Sequence, residues 1–109
     1  MATQLRDFTI ERERMDEFVT AWLGGIVPLR RQHGFRIPGA WTIPEENRFI
    51  WLLETDGSEA DFEARDATYY ASEARSGAQT DPRQWTVAHT AAFLQPVPLR
   101  DDEAAAEGR

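Results

Sequence analysis

Few side chains in this sequence can do chemistry. Histidine occurs twice, at His33 and His89, and cysteine and lysine do not occur. Thiolate nucleophiles, iron–sulfur clusters, Cys-based zinc sites, disulfides, Schiff bases and the P-loop are therefore all excluded. His89 is the leading candidate, because an imidazole near neutral pH can take a proton from an acidic carbon or a phenol. The alternative is a structural histidine enclosed on one sheet face and satisfied by a backbone carbonyl. Arg6 is the second candidate: its guanidinium can grip a carboxylate, phenolate or enolate, or it closes an internal salt bridge, with Glu54 the expected partner. His33 lies just before Gly34, where it can cap the last carbonyls of a helix. The two histidines stand 56 positions apart with no carboxylate four residues from either, so no metal site is expected; a single histidine can still ligate a haem. The serines are Ser58, Ser72 and Ser76, none in a Gly-x-Ser-x-Gly elbow.

The aromatic residues are the other resource. Trp41 and Trp51 share odd parity with Phe35 and Phe49, so they line either a pocket for a flat ligand or a plain core. Tyr69-Tyr70 can place one hydroxyl over a pocket mouth, or divide into one core ring and one surface ring.

The elements that must position these groups are legible. Gln4 to Ile10 reads as a half-buried strand. Met15, Phe18, Val19, Trp22, Ile26 and Leu29 form one helical stripe, with acids at its start and Arg30 and Arg31 at its end to match the macrodipole. Gly24-Gly25 ahead of Pro28 predicts a kink. Phe35 to Ile43 and Arg48 to Thr55 read as a hairpin around Pro44-Glu45-Glu46-Asn47. Pro38 puts the first of these at an edge, and Phe49-Ile50-Trp51-Leu52-Leu53, apolar on both faces, makes the second central. Ser58 and Asp61 form a capping box that opens a helix from Glu59 to about Ala71, whose apolar positions are mostly the small Ala60, Ala64, Ala67 and Ala71. A short turn opens at Asp81-Pro82, and Trp85 to Leu94 is the last strand.

The order β-α-β-β-α-β is the ferredoxin-like α+β arrangement, with the first and third strands in the middle. Helices cover one sheet face only, yet both faces are apolar, and Trp41 and Phe93 add aromatic area on neighbouring strands. A second copy packed sheet to sheet would cover the bare face and form an eight-stranded barrel with room for one small ligand. The 109 residues make one domain at 1–99, and the acidic stretch 100–109 is expected to be a disordered tail. Nineteen acidic against 12 basic residues, a net charge of −7, argue against nucleic-acid or membrane partners. No apolar run approaches the ~20 residues that span a bilayer, and a cytoplasmic location is expected.

The run Leu29-Arg30-Arg31-Gln32-His33-Gly34-Phe35, then Gly39-Ala40-Trp41-Thr42, Trp51-Leu52-Leu53-Glu54 and Tyr69-Tyr70-Ala71-Ser72, resembles the bacterial NIPSNAP family. Leu5-Arg6-Asp7-Phe8 is similar to that family's first strand, with Phe8 where a tyrosine is common. The resemblance spans about residues 4–98. It implies a dimeric α/β barrel, the fold of small cofactor-free monooxygenases, polyketide cyclases and muconolactone-type isomerases. The resulting expectation is a homodimer, without cofactor, that holds a small, partly aromatic or polyketide-like molecule. Phe8, Trp41, Trp51, Tyr69 and Tyr70 would contact it. The alternative is an enzyme of the oxygenase, isomerase or cyclase type with His89 as base and Arg6 as anion holder.

Overall fold

Aromatic and β-branched side chains at Phe8, Thr9 and Ile10 favour extended backbone, and in the computed structural model they close the first strand, β1 (Ala2–Ile10). The structure describes residues 1–76 and 81–99. The stretch 100–109, expected to be a tail, lies outside them.

The first helical rod comes in three pieces: α1 (Met15–Ala21), a π-helical turn (Trp22–Ile26) and α2 (Val27–Gln32). The π turn stands where a kink was expected. The Val27 N–H reaches back five residues to the Trp22 carbonyl, which loosens the ladder where the Pro28 ring would otherwise meet the carbonyl of Gly24. The extra residue rotates the remainder of the rod by about 100°. Val27 and Arg30 become the buried positions, while Ile26 and Leu29 are only half-buried. Arg30 is therefore a core residue rather than the exposed helix-end cation its position implied. The rod ends as Gly34 dictates. At φ 83° its N–H donates to the Arg31 carbonyl at 3.1 Å and that of Phe35 to the Arg30 carbonyl at 3.1 Å, a Schellman turn.

Of the stretch 35–43, only β2 (Ala40–Ile43) pairs as a strand, apart from one bridge between Arg36 and Glu54. Pro38 has no N–H for a ladder. A 3₁₀ turn (Pro44–Glu46) and left-handed Asn47 lead into β3 (Arg48–Thr55). The capping box forms reciprocally: the Ser58 N–H donates to Asp61 Oδ2 at 2.9 Å and the Asp61 N–H to Ser58 Oγ at 3.1 Å. It opens α3 (Glu59–Ser76), which runs past Ala71. Its small apolar residues Ala60, Ala64, Ala67 and Ala71 are exposed, and Phe62, Asp66 and Tyr69 make the inward stripe. A 3₁₀ turn (Pro82–Trp85) precedes β4 (Thr86–Leu94).

The sheet is antiparallel in the order β2-β3-β1-β4, the ferredoxin-like α+β topology. Phe8 stands opposite Phe49 and His89, and Arg6 opposite Trp51 and Ala91, so these side chains share the helix face. Phe93, opposite Gln4, joins them and meets Phe62 edge to face at 5.2 Å; it adds nothing to the bare face. That other face carries Leu5, Ile50, Leu52, Trp41 and Leu94, with Trp41 55 % and Leu94 40 % exposed. Its charges close on one another. Asp7 takes Arg48, and Glu54 accepts from Thr3 Oγ1 at 3.1 Å and from Arg36 Nε at 3.3 Å.

Candidate functional site

The helical layer does not reach across the whole sheet. Phe18 and Trp22 pack on Phe49 and Trp51, and Phe62 and Tyr69 pack on Phe35. β4 is left with His89 and Ala91 exposed on the helix side and Val87 64 % exposed. Between this uncovered strand, β1 and α3 lies a cleft of about 760 Å³. Arg6 and Phe8 line its floor, His89 and Ala91 the β4 wall, and Asp66 and Tyr70 the α3 wall. Glu63 and Arg83 also border it. The cleft belongs to a single chain and to the helix-bearing face, whereas the sequence pattern suggested a pocket between two sheets. The difference arises because the helices touch β4 at Phe93 and leave its His89 and Ala91 uncovered.

The floor of the cleft is an ionic cluster. Arg6 is 7 % and Arg30 2 % exposed, and both close on one carboxylate. Asp66 Oδ1 accepts from Arg30 Nη1 at 2.6 Å and Oδ2 from Arg6 Nη2 at 3.1 Å. Arg6 donates further from Nε to Gln4 Oε1 at 2.7 Å and from Nη1 to the Tyr70 hydroxyl at 2.9 Å. Arg30 is stacked 3.6 Å from the Tyr69 ring centroid and 4.7 Å from that of Phe35, an aromatic seat that attracts a guanidinium. Its Nε makes no hydrogen bond among the described residues. At the rim Asp81 accepts from Arg83 at 2.7 Å, and that bond holds the Asp81 carboxyl below its ordinary range.

Of the residues singled out in the sequence, the cleft gathers Arg6, Phe8, Tyr70 and His89. His89 is exposed rather than enclosed, with its ring edge-on to Phe8 at 6.0 Å between centroids. Diagonal neighbours across a strand pair lie about 7–8 Å apart, which sets the spacing of His89 and Arg6. Trp51 is outside the cleft, buried at 1 % beneath Arg6 and Phe8. Trp41 is on the opposite face, because alternation along β2 sends it away from the helices. Tyr69 is a core ring beside His33 and Arg30. The pair thus divides: Tyr69 is buried and Tyr70 offers its hydroxyl. The expected Arg6–Glu54 bridge does not form, since Arg6 faces the helices and Glu54 faces the bare side. His33 caps as expected, its Nδ1 2.9 Å from the Leu29 carbonyl.

Asp66 and Arg30 were missed. The available signal was Asp66 at the fourth position after Phe62 and three before Tyr69, a charge inside an apolar helical stripe. Nothing in the spacing marks Arg30, because only the π turn brings it inward. Among the described residues no group of three His, Asp or Glu converges, and no helix is long and apolar enough to cross a membrane.

No family model and no curated protein matches the sequence. Solved structures do match the fold. A NIPSNAP domain protein from Burkholderia xenovorans superposes with TM-score 0.77 at 17 % identity, covering 94 % of this chain and 100 % of its own. A putative antibiotic biosynthesis monooxygenase from Nitrosomonas europaea superposes at 0.61 and 11 % identity, covering 90 % and 100 %. A dimeric ferredoxin-like protein from an uncultured marine organism gives 0.61 at 11 %, covering 92 % and 93 %. At these identities the likeness establishes the fold, that of the NIPSNAP proteins and of ferredoxin-like monooxygenases.

Proposed function

We propose that this protein is a homodimer of the NIPSNAP type that binds a small, partly aromatic or polyketide-like molecule, in secondary metabolism, in the cleft between α3 and β4. The observation that carries the reading is the cleft itself. It offers about 760 Å³, apolar walls from Phe8, Ala91 and Phe93, and a few polar groups turned inward, the usual make-up of a small-molecule site. The dimer follows from the other sheet face, where Leu5, Ile50, Leu52 and Trp41 form a continuous apolar surface. Patches beyond about 400 Å² are rare on monomers, and a twofold contact covers the same patch on both copies at once. The dimeric ferredoxin-like neighbour supports this arrangement.

Native mass spectrometry of protein purified from its own source tests both parts. The expected result is a two-chain mass carrying a bound small molecule. Leu52→Arg, in the middle of the bare face, is expected to yield single chains in sedimentation without loss of helix content. If the wild-type protein sediments as single chains at micromolar concentration and carries nothing, the proposal fails.

The likeness to a monooxygenase fold, with His89 and Arg6 on one cleft, favours a second reading: cofactor-independent oxygenase, isomerase or cyclase chemistry. His89 would take a proton from an acidic carbon or phenol, and Arg6 would hold the resulting oxyanion. His89→Ala is then expected to abolish turnover of a phenolic or polyketide-like substrate while leaving the dimer intact. Unchanged turnover would remove His89 from the mechanism.

A further inference from the structure

The charge balance beneath the cleft does not close among the described residues. Two guanidiniums, Arg6 and Arg30, both more than nine-tenths buried, share the single carboxylate of Asp66. That leaves one unit of positive charge in the cluster. Glu63 is the other acid bordering the cleft; it is exposed, one turn before Asp66, and no arginine engages it among the described residues. The donors also outnumber the acceptors. A guanidinium has five N–H groups, and Arg6 uses three: Nε on Gln4, one on Nη1 for Tyr70 and one on Nη2 for Asp66. One N–H on each terminal nitrogen has no acceptor among the described residues. A buried cation with unmet donors is costly unless something completes its partnership. Arg6 lines the cleft, so a bound molecule can do so, whereas Arg30 is closed off beneath Tyr69 and Phe35.

We infer that the ligand of this cleft is a monoanion, an aromatic or polyketide-like scaffold ending in a carboxylate or an acidic enolate, with its anionic end on Arg6. This inference rests on the cleft being the binding site proposed above and adds the charge of what fills it. The two open N–H groups can donate to the two oxygens of one planar anion. The Tyr70 hydroxyl, whose oxygen already accepts from Arg6 Nη1, keeps its own proton to donate. Ala91, directly opposite Arg6, and Phe8, two residues further along β1, face the apolar body of the ligand. A dianion would meet Glu63 at the rim, which sets the preference for a single charge.

Matched probes test this on the wild-type protein. Benzoate, 1-naphthoate and 2-naphthoate are titrated calorimetrically beside their primary amides, which keep the shape and lose the charge. The expected result is that at least one acid binds about tenfold or more tightly than its amide, a difference of about 1.4 kcal/mol, and that raising the salt narrows the gap. Arg6→Gln is expected to abolish the preference while leaving amide binding in place, and Glu63→Gln to strengthen acid binding a few-fold. If acids and amides bind equally, the cleft is a ligand site and the anion inference falls alone. If neither class binds, the binding site itself is wrong and the inference falls with it. The wild-type comparison decides the matter even where Arg6→Gln fails to fold.

Discussion

Asp66→Asn removes the one negative charge that two buried arginines share while preserving the size of the side chain. Two charge-assisted hydrogen bonds weaken, at 2.6 Å to Arg30 and 3.1 Å to Arg6. Breaking a buried pair by removing one partner costs about 3–5 kcal/mol. The Asp66 side chain is 21 % exposed, which places this case at the low end, at about 3 kcal/mol. The stacking of Arg30 on Tyr69 at 3.6 Å survives the change and supplies about 1–2 kcal/mol that keeps Arg30 in place. For a domain of this size 1 kcal/mol corresponds to about 4–5 °C, so the melting temperature is expected to fall by about 12–15 °C. Urea denaturation followed by tryptophan fluorescence measures the loss, at one protein concentration because a dimer's stability depends on it. Glu63→Gln, on the same helix but exposed, is the control and should change stability by no more than about 0.5 kcal/mol. Sulfate should restore part of the Asp66→Asn deficit by pairing with the Arg6 guanidinium, which lines the cleft. A deficit below about 1 kcal/mol, unaffected by sulfate, would mean that water already neutralises these arginines and that the excess charge attributed to the cleft is not there.

Local geometry sets two further outcomes. Gly34→Ala forces a side chain into the left-handed region at φ 83° and sets its Cβ 2.5 Å from Arg65 Nη1; a loss of about 1–2 kcal/mol in thermal unfolding is expected, and no loss would show that the turn relaxes freely. The Asp61 carboxyl is held below its ordinary range, first by the Ser58 N–H and then by the Ser58 hydroxyl. Because this folded-state pKa is depressed, its contribution is complete above the ordinary aspartate value of about 3.9 and is lost as pH falls through the lower folded value. Asp61→Asn, which removes the titrating group, should therefore flatten the decline of the urea midpoint between about pH 4 and 2, and an identical acid limb in both proteins would refute the role given to the box.

Local chemistry made most of the fold legible in the sequence. Pro38, the two-faced apolar run of β3, the Ser58–Asp61 box and Gly34 each act through neighbours a few residues away, so their consequences can be read along the chain. Element order and the handedness of crossovers then sufficed for the strand order. Parity likewise paired Phe49 with Trp51 and set Ile50 and Leu52 opposite. It did not carry from one strand to the next: the β2–β3 register sets Trp41 opposite Ile50 and Ala40 opposite Trp51, so Trp41 and Trp51, read as companions, lie on opposite faces.

The candidate site was half legible for the same reason. Arg6, Phe8, Tyr70 and His89 could be named because polar or aromatic groups stand out within an amphipathic pattern. Where they meet could not, since the cleft exists because the helices leave the His89–Ala91 part of β4 uncovered, a matter of packing between segments far apart in sequence. The clearest case is Arg30. By a 3.6-residue period Leu29 belongs to the core and Arg30 to water, and a single π turn at Trp22–Ile26 reverses this. One added residue in a helix leaves its composition unchanged and turns its face by about 100°. The sequence determined that a cation stands there, and tertiary structure decided that it is buried and shares its counter-ion with Arg6.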